Sequence, residues 1–241
     1  MADAYASEWA KSLKSSARLI SGGGASAGVE IQLAPGTITY WRNPGDAGLP
    51  PVFSFEGSTN LAAADIRFPA PTRIRERDGE AFGYDRSLIL PIDVRAIDPA
   101  KPVALALKLN YAVCEKICVP AQASLNLTLP TANDSPFAQG ISAARSEAPR
   151  AVDWRDLQAD LAAEGDNRWR LCLAAEAGAP RDAFIEPPER WWIAISAQPG
   201  APSCFSIDLK QKPEGASLPV AVGITITGGA GPIETSMILA R

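Results

Sequence analysis

The chain contains no histidine. That removes the side chain that most often serves as general base or metal ligand near neutral pH. Ser-His-Asp and Cys-His catalysis are therefore excluded, and any metal site would have to be built from cysteine, methionine or carboxylates. Long apolar runs are also missing: no stretch approaches the roughly 18 residues of a membrane-spanning helix. A complete signal peptide, with its charged n-region and long apolar h-region, is not present. The opening "MADAYASEWA" does carry small residues in the A-x-A spacing that a signal peptidase leaves behind, which suggests a processed export signal. Basic charge is in short supply: 23 Lys and Arg against 27 Asp and Glu give a net charge of −4. With no cluster of Lys and Arg, the electrostatic footprint of a nucleic-acid binder is absent.

What is present is a core-forming composition, 46% hydrophobic and 21% charged over 241 residues, enough for one large or two ordinary domains. Twenty-one prolines and nineteen glycines point to many turns and few long helices. Residues 1–24 read as a polar lead-in ending in the turn "SGGG". From Val29, "VEIQLAPGTITYW" alternates apolar and polar positions and turns at Pro35-Gly36, a strand pattern. Further candidate strands lie at 51–57, 63–70, 87–96, 102–113 and 123–130. Their spacing, with Pro/Gly turns between, predicts an antiparallel sandwich. "DSPFAQGISAARSEAPR" (134–150) predicts a short helix, with Ser135 as cap, Pro136 at the first position and Pro149 beyond the end. A second helix is expected over 153–166, with Leu157, Leu161 and Ala162 on one face. Strand patterns return at 168–177, 182–187, 190–197, 203–210, 218–229 and 232–240. The expected fold is mainly β, two β-sandwich domains with a short helical connector: the first sandwich over 1–132, the connector over 133–150, and the second, mostly β domain over 151–241.

The four cysteines fall into two pairs. Cys114 and Cys118 stand in "YAVCEKICVP", flanking the tip Glu115-Lys116-Ile117 of an expected hairpin. Flanking residues of a hairpin approach to a Cα separation near 5.5 Å, within reach of a disulfide. The loop such a bond closes is tiny, so it constrains the unfolded chain weakly, which argues against a purely structural role. Three readings stand: a redox-active dithiol, Cu(I) ligation by two soft thiolates, and a local structural bond. Lys116 would favour a thiolate and Glu115 would oppose it. Tyr111 falls in phase with Val103, Leu105, Leu107 and Leu109, which fits core or packing on the cysteines.

Cys172 and Cys204 fall on the polar faces of separate strands. The preferred expectation is a structural disulfide between adjacent strands, closing a loop of about thirty residues; two free thiols or a second redox pair are the rivals. "ERWWIA" (189–194) reads as core and sheet surface. Trp41-Arg42 would either stack near the active end or pack.

"LNYAVCEKICVPA", together with "TYWRNPGDAGLPPVFSF" (39–55), resembles the periplasmic N-terminal region of the DsbD/ScsB family of transmembrane thiol–disulfide reductases. The likeness runs best over residues 13–130, and it leans to the ScsB-like branch associated with suppression of copper sensitivity. The cysteine spacing is shorter than in DsbD. The resemblance implies an immunoglobulin-like sandwich with Cys114 and Cys118 as catalytic residues at one end, and a periplasmic location as the soluble region of an inner-membrane protein. It implies electron transfer from the membrane domain of the same protein to thioredoxin-fold periplasmic partners (ScsC/DsbC-like or peroxiredoxin-like), with no nucleic acid involved. Cys118 would form the mixed disulfide and Cys114 would resolve it. A cap loop with an aromatic residue is also implied; "RERDGEAFGYDRS" (75–87) lies in the matching position and offers Phe82 or Tyr84. No cofactor or metal is called for. The rivals are a Cu(I)-binding protein using the same thiolates and a non-catalytic interaction sandwich with two structural disulfides.

Overall fold

The computed structural model describes residues 4–46, 48–76, 79–130, 134–174 and 182–241. The chain divides into two compact units, Met1–Glu147 and Ala148–Arg241. The first contains β1 (Ala10–Lys11), β2 (Ser15–Gly23), β3 (Ser26–Leu33), β4 (Ile38–Gly45), β5 (Val52–Ser54), β6 (Leu61–Ile66), β7 (Thr72–Glu76), β8 (Gly79–Tyr84), β9 (Leu88–Ala96), β10 (Ala104–Cys114), β11 (Cys118–Thr128) and the helix α1 (Ala138–Ser146). The second contains β12 (Arg150–Ala151), β13 (Ala159–Ala163), β14 (Arg168–Leu173), β15 (Asp182–Glu186), β16 (Trp192–Ala197), β17 (Cys204–Gln211), β18 (Val220–Thr227) and β19 (Ile233–Leu239).

Each unit is a β-sandwich. In the first, one sheet runs β1-β2-β3-β9-β6 and the other β11-β10-β4-β8-β7, with β5 also paired to β10. The core follows directly from the period-two pattern. Leu105, Leu107, Leu109, Tyr111 and Val113 of β10 are buried on one face, as are Ala121, Ala123, Leu125 and Leu127 of β11. The two strands pair in continuous register from Ala104↔Thr128 to Cys114↔Cys118. Each buried leucine contributes about 2 kcal/mol through removal of apolar area from water.

Two expectations are corrected here. The polar lead-in is not a lead-in: Ala17, Leu19, Ile20 and Ser21 of β2 are buried and pair across to β3. The helix over 153–166 does not form. Asp153 caps a single 3-10 turn, Trp154–Asp156, by accepting the Arg155 N–H, and the chain then enters β13. Leu157 and Leu161 are four residues apart, a spacing that suits a helix face and, being even, equally one face of a strand. Pairing to β14, with Leu161 opposite Leu171, decides for the strand.

The helix expected at 134–150 forms as the shorter α1 and packs within the first unit. Ile141 is buried in a cluster with Ala6 and Ile20, with Ile89 and Phe137 packed against it. Ser135 is not the residue bounding α1, which starts after Phe137. Its hydroxyl instead accepts the Phe137 N–H and donates to the Ser21 carbonyl, tying the approach to the helix onto β2. In the second unit the sheets run β12-β19-β18-β15 and β13-β14-β17-β16. Trp169, Leu171, Phe205 and Ile207 fill its core.

Candidate functional site: a cysteine pair at a hairpin end

Cys114 ends β10 and Cys118 begins β11, and the two form a disulfide with Cα atoms 4.0 Å apart. They are the last register pair of the hairpin. The separation is tighter than the 5.5 Å expected and nearer the spacing of a non-hydrogen-bonded antiparallel pair. Glu115, Lys116 and Ile117 form the exposed tip, with Ile117 79% exposed.

Side chains alternate along β10, so Ala112 and Cys114 point away from the face that carries Leu109, Tyr111 and Val113. Cys114 enters a small buried cluster of its own with Tyr40, Ala81 and Ala112, against which Ile38 and Ile74 pack. The second β-sheet brings these residues together. Ile38 pairs with Cys114 and Thr39 with Val113 across β4–β10. The Thr39 hydroxyl donates to the Ala112 carbonyl at 2.9 Å, a buried bond that fixes this junction. On the other side of β4, Tyr40 pairs with Gly83 of β8. A Cβ on Gly83 would lie 2.1 Å from the Thr39 carbonyl oxygen, so only glycine allows this approach.

The result is a phenol set against both sulfurs. The Tyr40 hydroxyl donates to Cys114 Sγ at 2.7 Å and stands 3.3 Å from Cys118 Sγ. Gly48, beyond β4, lies against that ring: a Cβ there would stand 2.2 Å from it. Tyr40 is absent from the sequence-based candidates. The signal that would have found it is its place in "TYWRNPGDAGLPP", the stretch carrying the resemblance, as a phenol able to reach a buried sulfur.

The other candidates are placed differently. Tyr111 lies on the opposite face of β10, its hydroxyl 2.7 Å from Ser15 Oγ. Burial lifts its phenol above the ordinary range, against the opposing hydrogen bonds of Ser15 and Ser12. Phe82 and Tyr84 are buried in β8, and the cluster around Cys114 takes in Ala81 of that strand and neither of them. Arg73 stacks over the Phe82 ring, 5.1 Å from its centre. Tyr84 donates to the Pro69 carbonyl at 2.7 Å, and burial pushes its phenol well above the usual value. The tip between β7 and β8, residues 77–78 of the expected cap, lies outside the described residues. Lys116 is exposed on the hairpin tip. Its neighbour Glu115 is engaged by Lys14 at 2.9 Å, and that hydrogen bond and charge hold the Glu115 carboxyl below the ordinary range. Trp41 is fully buried with Arg42 over its ring at 4.7 Å, and neither belongs to the Cys114 cluster.

Cys172 and Cys204 are joined by a second disulfide between directly opposed residues of β14 and β17. The core side of these strands holds Leu171, Leu173, Phe205 and Ile207; the sulfurs lie on the other, partly exposed side.

Residues 10–130 match the family described as "Thiol:disulfide interchange protein DsbD, N-terminal". The chain belongs to this family. Among solved structures, the chain is similar to the N-terminal periplasmic domain of ScsB from Proteus mirabilis. The TM-score is 0.76, over 99% of this chain and 100% of that one, at 20% identity. At that identity the likeness carries the fold, and it extends through both units. No curated protein matches the sequence. In this DsbD-type domain the cysteine pair bonded at the hairpin end fits thiol–disulfide exchange.

Proposed function

We propose that the chain is a periplasmic exchange module that takes electron pairs from a membrane-embedded reductase domain and passes them to disulfides of thioredoxin-fold partners. The observation that carries this reading is the asymmetry of the two sulfurs. Cys114 is 2% exposed and takes the shorter bond from the Tyr40 phenol, 2.7 Å against 3.3 Å to Cys118, and Cys118 is exposed at the open end of the hairpin. An incoming partner can reach only one of them.

The roles follow from that difference. In the reduced form the Cys118 thiolate attacks a partner's disulfide, making a Cys118–partner bond and releasing one partner thiolate. Cys114 then attacks Cys118 Sγ, closes the internal disulfide and releases the second partner thiolate. Two electrons pass to the partner, and the two protons of the dithiol are taken up by the released thiolates through solvent. Recharging runs the same steps backwards: a thiolate of the membrane domain attacks Cys118, and Cys114 departs as a thiolate. The Tyr40 hydroxyl stabilises that buried anion, since a hydrogen bond to a charged group in a dry site contributes about 1.5–3 kcal/mol. Ile117, between the sulfurs, offers the partner an apolar contact at the point of attack. Lys14 compensates Glu115, which would otherwise oppose a thiolate on the tip.

Trapping tests the assignment. The reduced Cys114→Ser variant, mixed with an oxidised thioredoxin-fold protein, should accumulate a mixed disulfide through Cys118, and Cys118→Ser should give none. Equal complex from Cys114→Ser and the unsubstituted chain, or complex formed through Cys114, would overturn the roles. Stoichiometric Cu(I) binding by the reduced pair without any exchange would favour the metal reading instead.

A further inference from the structure

The second disulfide sits where a buried staple would not. Cys172 and Cys204 are register partners of β14 and β17, on the side of the sheet facing away from the core of the second unit. Both are partly exposed. Their strand-mates on that side are polar: Arg168, Arg170, Ser206 and Asp208. Arg170 is the informative one. Its Nη1 donates to Cys172 Sγ at 3.4 Å, while its Nε donates to Glu164 at 3.1 Å and its Nη2 to Asp160 at 3.4 Å. The two carboxylates hold the guanidinium with its Nη1 on sulfur.

We propose that Cys172–Cys204 is a second thiol-exchange site, whose co-reactant is an external thiolate and whose attacked atom is Cys204 Sγ. The thiolate forms a bond to Cys204 as the Cys172–Cys204 bond breaks, and the electron pair leaves on Cys172. Arg170 is in place to receive that anion by a charge-assisted hydrogen bond, and a better leaving thiolate leaves faster. A second thiolate then attacks the mixed disulfide, frees Cys204, and completes a two-electron reduction of the pair; the external dithiol is oxidised. Attack in the other sense would leave the charge on Cys204, which has Ser206 and Gln198 along its side of the sheet and no cation bonded to its sulfur among the described contacts. Asp160, opposite Cys172 on β13, works against a thiolate there, but its carboxylate is itself engaged by Arg170. Arg168 and Asp208 pair with each other at 2.8 Å further along the strands, and Arg170 is the cation bonded to Cys172 among the described contacts. The second unit thus carries chemistry of its own, independent of the roles assigned to Cys114 and Cys118.

The test follows both disulfides in the intact chain during reduction by dithiothreitol, with acid quench, differential alkylation and peptide mass analysis. The Cys172–Cys204 pair should open while circular dichroism still reports folded sheet. Arg170→Ala should slow that opening about tenfold, with Arg170→Lys intermediate and the opening of Cys114–Cys118 unchanged. An opening rate indifferent to Arg170, or one seen only once the sheet has unfolded, would overturn the proposal. Lone thiols give a second readout. Cys172 in a Cys204→Ala variant should ionise at lower pH than Cys204 in a Cys172→Ala variant, and Arg170→Ala should abolish the difference. Equal ionisation of the two thiols would sink the assignment of the leaving group.

Discussion

The Tyr40 hydroxyl and the Cys114 sulfur lie 2.7 Å apart, and that contact joins two residues 74 apart in sequence to one reaction. Tyr40 reaches the sulfur because β4 runs beside β10 and because Gly83 lets β8 close on the far side. The phenol lies nearer Cys114 than Cys118 and acts on the electron pair when it rests on Cys114. Tyr40→Phe keeps the ring and removes the donor. The release of Cys114 during attack on Cys118 should slow by roughly ten- to a hundredfold, the equivalent of a hydrogen bond to a charged group. Stopped-flow reduction by a dithiol, monitored by rapid alkylation, measures it; an unchanged rate would remove Tyr40 from the mechanism.

Position 48, against the Tyr40 ring, should be intolerant of any side chain. Gly48 has φ +104°, and a Cβ there would meet the ring at 2.2 Å. Gly48→Ala should cost about 1–3 kcal/mol through backbone strain and the clash with the ring. In the reduced protein it should also let alkylating reagents reach Cys114 faster, with Cys118 unaffected. Comparing the two labelling rates separates loss of the cover from general destabilisation.

The docking of α1 should depend on acid. Asp93 of β9 is bonded by Arg67 at 2.6 Å and by Arg145 of α1. Partial burial works against its ionisation, but the two guanidinium groups outweigh it and hold the carboxyl below the ordinary range. A depressed folded-state pKa gives stability that is present above the unfolded value of about 3.9 and is lost as pH falls through the folded value. Unfolding midpoints should therefore drop between pH 5 and pH 2 more steeply in the unsubstituted chain than in Asp93→Asn. Parallel slopes would contradict this.

Removing the second disulfide should weaken the second unit. The bond links residues 32 apart in sequence, and the chain-entropy relation for such a loop gives about 4 kcal/mol. Denaturant unfolding of Cys172→Ala/Cys204→Ala should reveal that loss in the second unit, with the first unit's transition in place. A change under about 1 kcal/mol would mean the unfolded unit is already compact enough to make the crosslink redundant.

The period-two patterning made the sheets legible. The hairpin of β10 and β11, the buried leucines, and the cysteines at its end all follow from alternation and a short polar tip. Pairing of Cys172 with Cys204 is expected because both fall on the polar side of their strands, where free thiols would be exposed. Where local pattern was degenerate, reading failed. Leu157 and Leu161 suit either periodicity, and only the availability of β14 as a partner settled β13 as a strand. Residues 1–24 read as a polar lead-in, and only pairing with β3 makes a buried strand of 15–23.

The sequence by itself determined that this is a β-rich chain with one close cysteine pair at a hairpin tip and no imidazole, which made thiol–disulfide exchange at Cys114 and Cys118 the leading reading. It could not determine which sulfur faces outward or what stands behind the inner one. Those depend on the tertiary structure. Burial and hydrogen bonding are properties of the space between β4, β8 and β10, and residues such as Tyr40, Gly48 and Gly83 acquire their roles only when those strands lie side by side.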